Sequence, residues 1–396
     1  MTNQSLGNIL GSGEPYRLLF PLGALLGILG VMLWPAAVWA GAPYPYHAHA
    51  GIMIQGFLSA FVIGFLGTAL PRLLEVKRVG GGETVIYAAG LVLTSTLHLL
   101  DFRFLAEWTF LMLLGGFMIR LLQRARKRQD LPPPGFVLVF LGLVAALTGT
   151  ILQMINSLPS GGQPLTGFFG EILGKRLLYQ AYLLLPIMGI GAFLLPRFFG
   201  LPNRQDFPTS LQPTAAWKRR AWFAAACGGA VLISFALEAA GWWRSGFTLR
   251  AVAIAFYFIR EVPFLQSGLS RGSLAWALRF ALLSIPVGYG VMALFPTWHT
   301  GLIHIVFITG FSLLTFTVAT RVVLGHSGQS ARLKQTMAAV NGVTVLFILA
   351  MLTRVSADWM PEVRLSHYGY AAVCWALAVI LWLVRFGRSL GVTDED

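Results

Sequence analysis

Residues 49–72 read HAGIMIQGFLSAFVIGFLGTALPR. From His49 to Leu70 no Asp, Glu, Lys or Arg interrupts the run. At 1.5 Å per residue a helix of that length covers about 33 Å, enough for a hydrocarbon core roughly 30 Å thick. Gly51, Gly56, Gly64 and Gly67 let neighbouring helices come close in lipid, where packing rather than water drives association. This stretch is a membrane-spanning helix, and the rest of the chain is built alike. The 396 residues are 56% hydrophobic and 11% charged, with a mean hydropathy of +0.72. Apolar runs of near-spanning length fall at approximately 16–40, 49–70, 84–100, 107–122, 136–156, 177–199, 221–240, 247–265, 276–295, 301–323, 337–353 and 368–386. The sequence therefore predicts an all-α integral membrane protein of about twelve transmembrane helices, with residues 1–396 forming a single polytopic domain.

Twelve spans put both termini on one side. Most of the 29 Lys and Arg residues fall on that same face, above all in the runs Arg124–Arg128 and Lys218–Arg220. Cytoplasmic loops carry such an excess, so both termini are expected in the cytoplasm. The net charge of +14 is what orientation and an anionic inner leaflet require, and it calls for no nucleic-acid partner. The first apolar run is too long for a cleavable signal peptide. Cys227 and Cys374 lie inside apolar runs without CxxC spacing, which excludes a disulfide framework.

The second and sixth spans end alike, in GFLGTALPR (64–72) and GIGAFLLPR (189–197), and the tenth ends more loosely in Ala319-Thr320-Arg321. A signature recurring every four helices predicts three pseudo-repeats of four, unless this is simply how a helix leaves the membrane on the cytoplasmic side. When Arg72, Arg197 and Arg321 are superposed, Gln55, Gln180 and His304 share one depth. Polar groups are costly against lipid, so these three are expected to face the interior.

Of seven histidines, His47, His49, His98, His299, His304 and His367 fall at helix ends on the side opposite the termini. Imidazole is the commonest side-chain ligand for haem iron and copper, and a nearly charge-free membrane protein has little other reason to collect it. His47 and His49 are two apart. With Pro43 and Pro45 before them, an extended entrance would point both the same way. His304 lies inside its span, which makes it the strongest single candidate. His98, three before Asp101, is either a ligand oriented by that carboxylate or part of an exposed loop pair. His326 lies on the other side, about 33 Å of helix beyond His304, so one cofactor cannot touch both. Arg321 and His326 are placed to bind an acidic group or to cap their own helix.

These residues carry a resemblance. His47-Ala48-His49 with Gly56-Phe57 and the 64–71 stretch resembles the second span of the NnrS family of haem- and copper-containing membrane proteins. His304 with the segment 320–328, TRVVLGHSG, and the Trp375–Arg385 helix are similar to that family's other signatures. Ala50 stands where the family commonly has an acidic residue. The resemblance implies a bacterial inner-membrane protein of nitric oxide metabolism, nitrosative-stress protection or denitrification, with nitric oxide or a similar small ligand and the lipid bilayer as partners. More distantly, the helix count and the histidines on the second and tenth spans resemble haem-copper oxidase subunit I and the catalytic subunit of nitric oxide reductases. The expectation is haem b held by His49 and His304, with copper held by some of His47, His98, His299 and His367. A secondary transporter, which would show broken helices around a polar midplane site, and a haem-free copper handler, which would show Met or Cys clusters, are the alternatives.

Overall fold

The computed structural model describes residues 12–159, 161–262, 264–266 and 271–392, and among them there is helix and no strand. The long helices are α1 (Tyr16–Trp39), α2 (Tyr46–Leu73), α3 (Gly81–Leu99), α4 (Arg103–Ala125), α5 (Phe136–Asn156), α6 (Gly167–Phe198), α7 (Ala215–Ala239), α8 (Trp243–Glu261), α9 (Ser273–Leu294), α10 (Pro296–Gly325), α11 (Ala338–Ser356) and α12 (Arg364–Phe386). Ten of them are long and apolar enough to cross a membrane. The other two, α3 and α8, have 19 residues each and carry more polar groups, among them Glu83, Thr94, Ser95 and His98 on α3 and Arg244, Arg250, Arg260 and Glu261 on α8. Much of that polarity is turned inward: Thr94, Ser95, His98, Arg250 and Glu261 are buried.

The apolar run places the start of the sixth span near 177, yet α6 begins at Gly167. Lys175 and Glu171 pair one turn apart at 2.6 Å, which removes the reason for the helix to stop.

Burial sorts the helices into two shells. The apolar windows of α2, α6 and α10 are 78, 78 and 72% buried, whereas those of the other eligible helices are 28–50% buried. These three inner helices are the ones with the recurring ending, and together they line one apolar cavity. Around them α1 packs on α2 and α12, α3 on α4, α4 on α5, α7 on α8, α8 on α9, and α11 on α12. Each inner helix contains a π-helical segment: Ile52–Leu58, Leu177–Ala181 and Ile305–Ser312. The wider turn loosens the usual backbone ladder, and in lipid freed carbonyls need a partner. Ser59 Oγ donates to Ile54 O at 2.8 Å and Ser312 Oγ to Phe307 O at 3.0 Å.

At one end of the bundle Glu14 pairs with Arg17 at 2.6 Å and with Arg72, and Arg72 Nη1 meets the His326 ring nitrogens at 3.2 Å. Arg17 donates to Leu390 O at 2.9 Å and Val392 O at 2.5 Å. The first and last described helices and the C-terminal ends of α2 and α10 are thus tied together. Among the described residues Arg321 pairs with no acidic group; its guanidinium lies 3.7 Å from the centroid of the Phe198 ring.

Candidate functional site

At the opposite end lies a cavity of about 390 Å³, within the range of cofactor pockets. His49 enters it from α2, His299 and His304 from α10, Tyr179 and Gln180 from α6, and Trp375 from α12. His49 Nδ1 is 2.9 Å from Gly30 O. His304 Nδ1 is 3.0 Å from Thr300 O and 3.3 Å from Gly301 O. A carbonyl oxygen only accepts, so Nδ1 carries the proton in both rings and Nε2 keeps its lone pair. A ring held in this tautomer by a backbone carbonyl is prepared to ligate a metal through Nε2.

His304 sits where α10 passes into its π segment, and His49 one turn before the π segment of α2. Both helices contribute to the same cavity. His299 donates its Nδ1–H to Pro296 O at 2.9 Å, and its ring centroid is 4.9 Å from that of Trp243.

His47 goes elsewhere. The helix already starts at Tyr46, so the expected extended entrance is absent, and residues two apart on a helix point to different faces. His47 lines a neighbouring cavity of about 300 Å³ together with His98, Glu107, Glu171, Lys175 and Tyr179. His98 is neither exposed nor oriented by Asp101, which pairs with Arg103 at 2.8 Å. Instead His98 is 6% exposed, and its Nε2 donates to Gln55 Oε1, while Gln55 Nε2 donates to Glu107 Oε2 at 2.6 Å. Gly51 makes this possible, because a Cβ there would lie 2.6 Å from three carbons of the His98 ring. His367, on the first turn of α12, donates Nδ1–H to Val363 O at 3.0 Å and lines neither cavity. Among the described residues no three His, Cys, Asp or Glu side chains converge as a metal-binding group.

Gln55 and Gln180 are both buried, but only Gln180 shares a cavity with His304. Gln180 lines the larger cavity, where its Oε1 accepts from Arg250 Nη1 at 3.2 Å and Tyr289 OH at 3.0 Å. Gln55 faces α3 and α4, to which its two hydrogen bonds run.

Several residues of the site carried no mark in the sequence reading. Lys175, Arg176 and Arg354 line the larger cavity beside the histidines. Glu238, which lines it too, is fully buried and pairs with Arg250 at 2.7 Å and with Arg176. Ser234 Oγ accepts from Arg250 Nε at 3.0 Å. A usable signal was present: Arg250 lies inside the apolar run 247–265, and an ionisable residue in a span marks a function or a partner. Lys175 and Tyr179 line both cavities and form the wall between them.

Comparison with protein-family models finds a match to the family described as NnrS protein, over residues 12–391. Comparison with the curated proteins finds no match.

Proposed function

The chain belongs to the NnrS family, a family connected with nitric oxide, and on that premise we propose that His49 and His304 would hold haem b, which suits electron transfer when both imidazoles bind the iron and nitric oxide binding when only one does. One observation carries the reading. Two imidazoles on the inner helices α2 and α10 enter one cavity with Nδ1–H tied to backbone carbonyls and Nε2 free of protein partners among the described residues. The surroundings suit the group. Trp375, Tyr179, Phe247 and Phe307 offer apolar and aromatic walls. Lys175, Arg176 and Arg354 also line the cavity, paired with Glu171, Glu238 and Asp358, and would meet propionate carboxylates by sharing those partners. Bound there, haem supplies a redox-active iron with an affinity for diatomic ligands.

The protein's own residues orient the two imidazoles, exclude bulk water and offset anionic charge. His47 and His98, which share the neighbouring cavity, are the pair proposed for copper; His299 and His367 stand apart from them. By the distribution of Lys and Arg, the histidine end is proposed to face the periplasm of a bacterial inner membrane, with both termini cytoplasmic. A secondary transporter has less support, because α2, α6 and α10 run through their π segments without unwinding. A haem-free copper handler would draw on Met53 and Met292 in the larger cavity, too few soft ligands to rival two prepared imidazoles.

Pyridine haemochrome and metal analysis of the detergent-purified full chain test the reading. About one haem b per chain is expected, and a preparation grown with ample haem that contains none would overturn it.

A further inference from the structure

Between α2, α6 and α10 lies a third cavity, of about 110 Å³. Phe61 and Phe65, Ile187 and Ile190, and Phe311 and Leu314 are among its walls, and Thr315 is the one hydroxyl-bearing residue on them among the described residues. A water needs two to four polar partners to stay in such a space, so an apolar cavity of this size remains dry and takes apolar guests instead. The cavity is partly open, and about 110 Å³ is room for a few heavy atoms, which a small guest fills and a whole acyl chain or peptide segment exceeds. The cavity is walled by the three most deeply buried helices, so its natural visitors are small solutes already dissolved in the membrane. Leu58, the last residue of the α2 π segment, lines both this cavity and the larger one containing His49 and His304.

We propose that this cavity is a docking site for a small apolar gas of the nitric oxide class, which passes Leu58 to reach the histidine cavity. The docking half stands on the cavity alone. The delivery half rests on the haem reading above.

Xenon probes the docking half without any cofactor. Crystals of the full-length protein under xenon pressure should show a xenon peak among Phe61, Ile187 and Phe311. Filling the space with Ile187→Trp, or with Leu314→Phe should the first variant fail to fold, should remove that peak and leave xenon bound elsewhere unchanged. Xenon peaks elsewhere with none at this site, or a peak that survives the filling variants, would overturn the docking site. For delivery, carbon monoxide is photolysed from the reduced haem protein and its return is timed. Leu58→Trp should slow the return about tenfold or more, and xenon pressure should change the rebinding of the parent but not of Ile187→Trp. Unaltered rebinding in Leu58→Trp would sink delivery while leaving docking intact. A protein without haem would fail the metal reading and the delivery half together, and the xenon peak would still decide the docking half.

Discussion

Glu238 is fully buried between two guanidiniums, Arg250 at 2.7 Å and Arg176, so the three groups leave one positive charge in excess. Arg250 offsets part of its own burial by lying 3.7 Å from the Phe235 centroid and 4.8 Å from that of Tyr289. Removing the single anion should therefore cost more than removing one of two cations. Glu238→Gln is expected to destabilise the protein by about 3–5 kcal/mol, the usual result of stranding a buried charge. Arg250→Met should cost less, because Arg176 still faces the carboxylate. Melting temperatures in one detergent rank the two, and the opposite order would show that the excess positive charge is harmless. Gln55 presents a smaller case. Gln55→Leu strands the His98 Nε2–H and the Glu107 carboxyl, at roughly 1–3 kcal/mol for each unsatisfied group, and an unchanged melting point would show that neither needs the amide. His304 was readable from sequence because it interrupts an apolar run. Lys175, Arg176 and Arg354 were not, since charges near run ends read as topology signals until tertiary structure shows which of them turn inward.

The inner helices owe their side-chain directions to the π segments. Each inserted residue shifts one half of a helix about its axis relative to the other, by about 100° if an α-helical turn is restored. That shift separates the His49 and His304 ends from the Arg72 and Arg321 ends of the same helices. Superposing the arginines fixes depth and not face, and the structure turns the buried Gln55 toward α3 and α4. Nothing in the apolar sequences 52–58 or 305–312 announces the wider turn, because its cause lies in packing against neighbours. Deleting Val306 from the α10 segment should restore a regular helix and swing His304 out of the cavity. Loss of haem with retained expression and a retained melting transition is the expected outcome. A deletion variant with unchanged haem content would show that the π segment does not orient His304.

At the scale of the whole molecule, the membrane class and the approximate helix bounds were legible in hydropathy because a bilayer imposes length and polarity on every span. The convergence of His49, His299 and His304 on one cavity was legible only as a shared end of the bundle. Their division from His47 and His98 was not, because it depends on where the helix begins at Tyr46. Orientation is open to direct test. A cysteine introduced as Lys127→Cys should resist a membrane-impermeant maleimide in intact cells and react after permeabilisation, and labelling from outside would invert the topology. The central claim, that His49 and His304 together hold a haem, is tested most directly by the optical spectrum of the purified protein compared with its His49→Ala, His304→Ala and His326→Ala variants. His326 lies at the far end with Arg72 and Glu14, so its variant should keep the parent's Soret and reduced-state bands, while the other two lose or shift them. Bands that persist unaltered in both His49→Ala and His304→Ala would contradict the assignment.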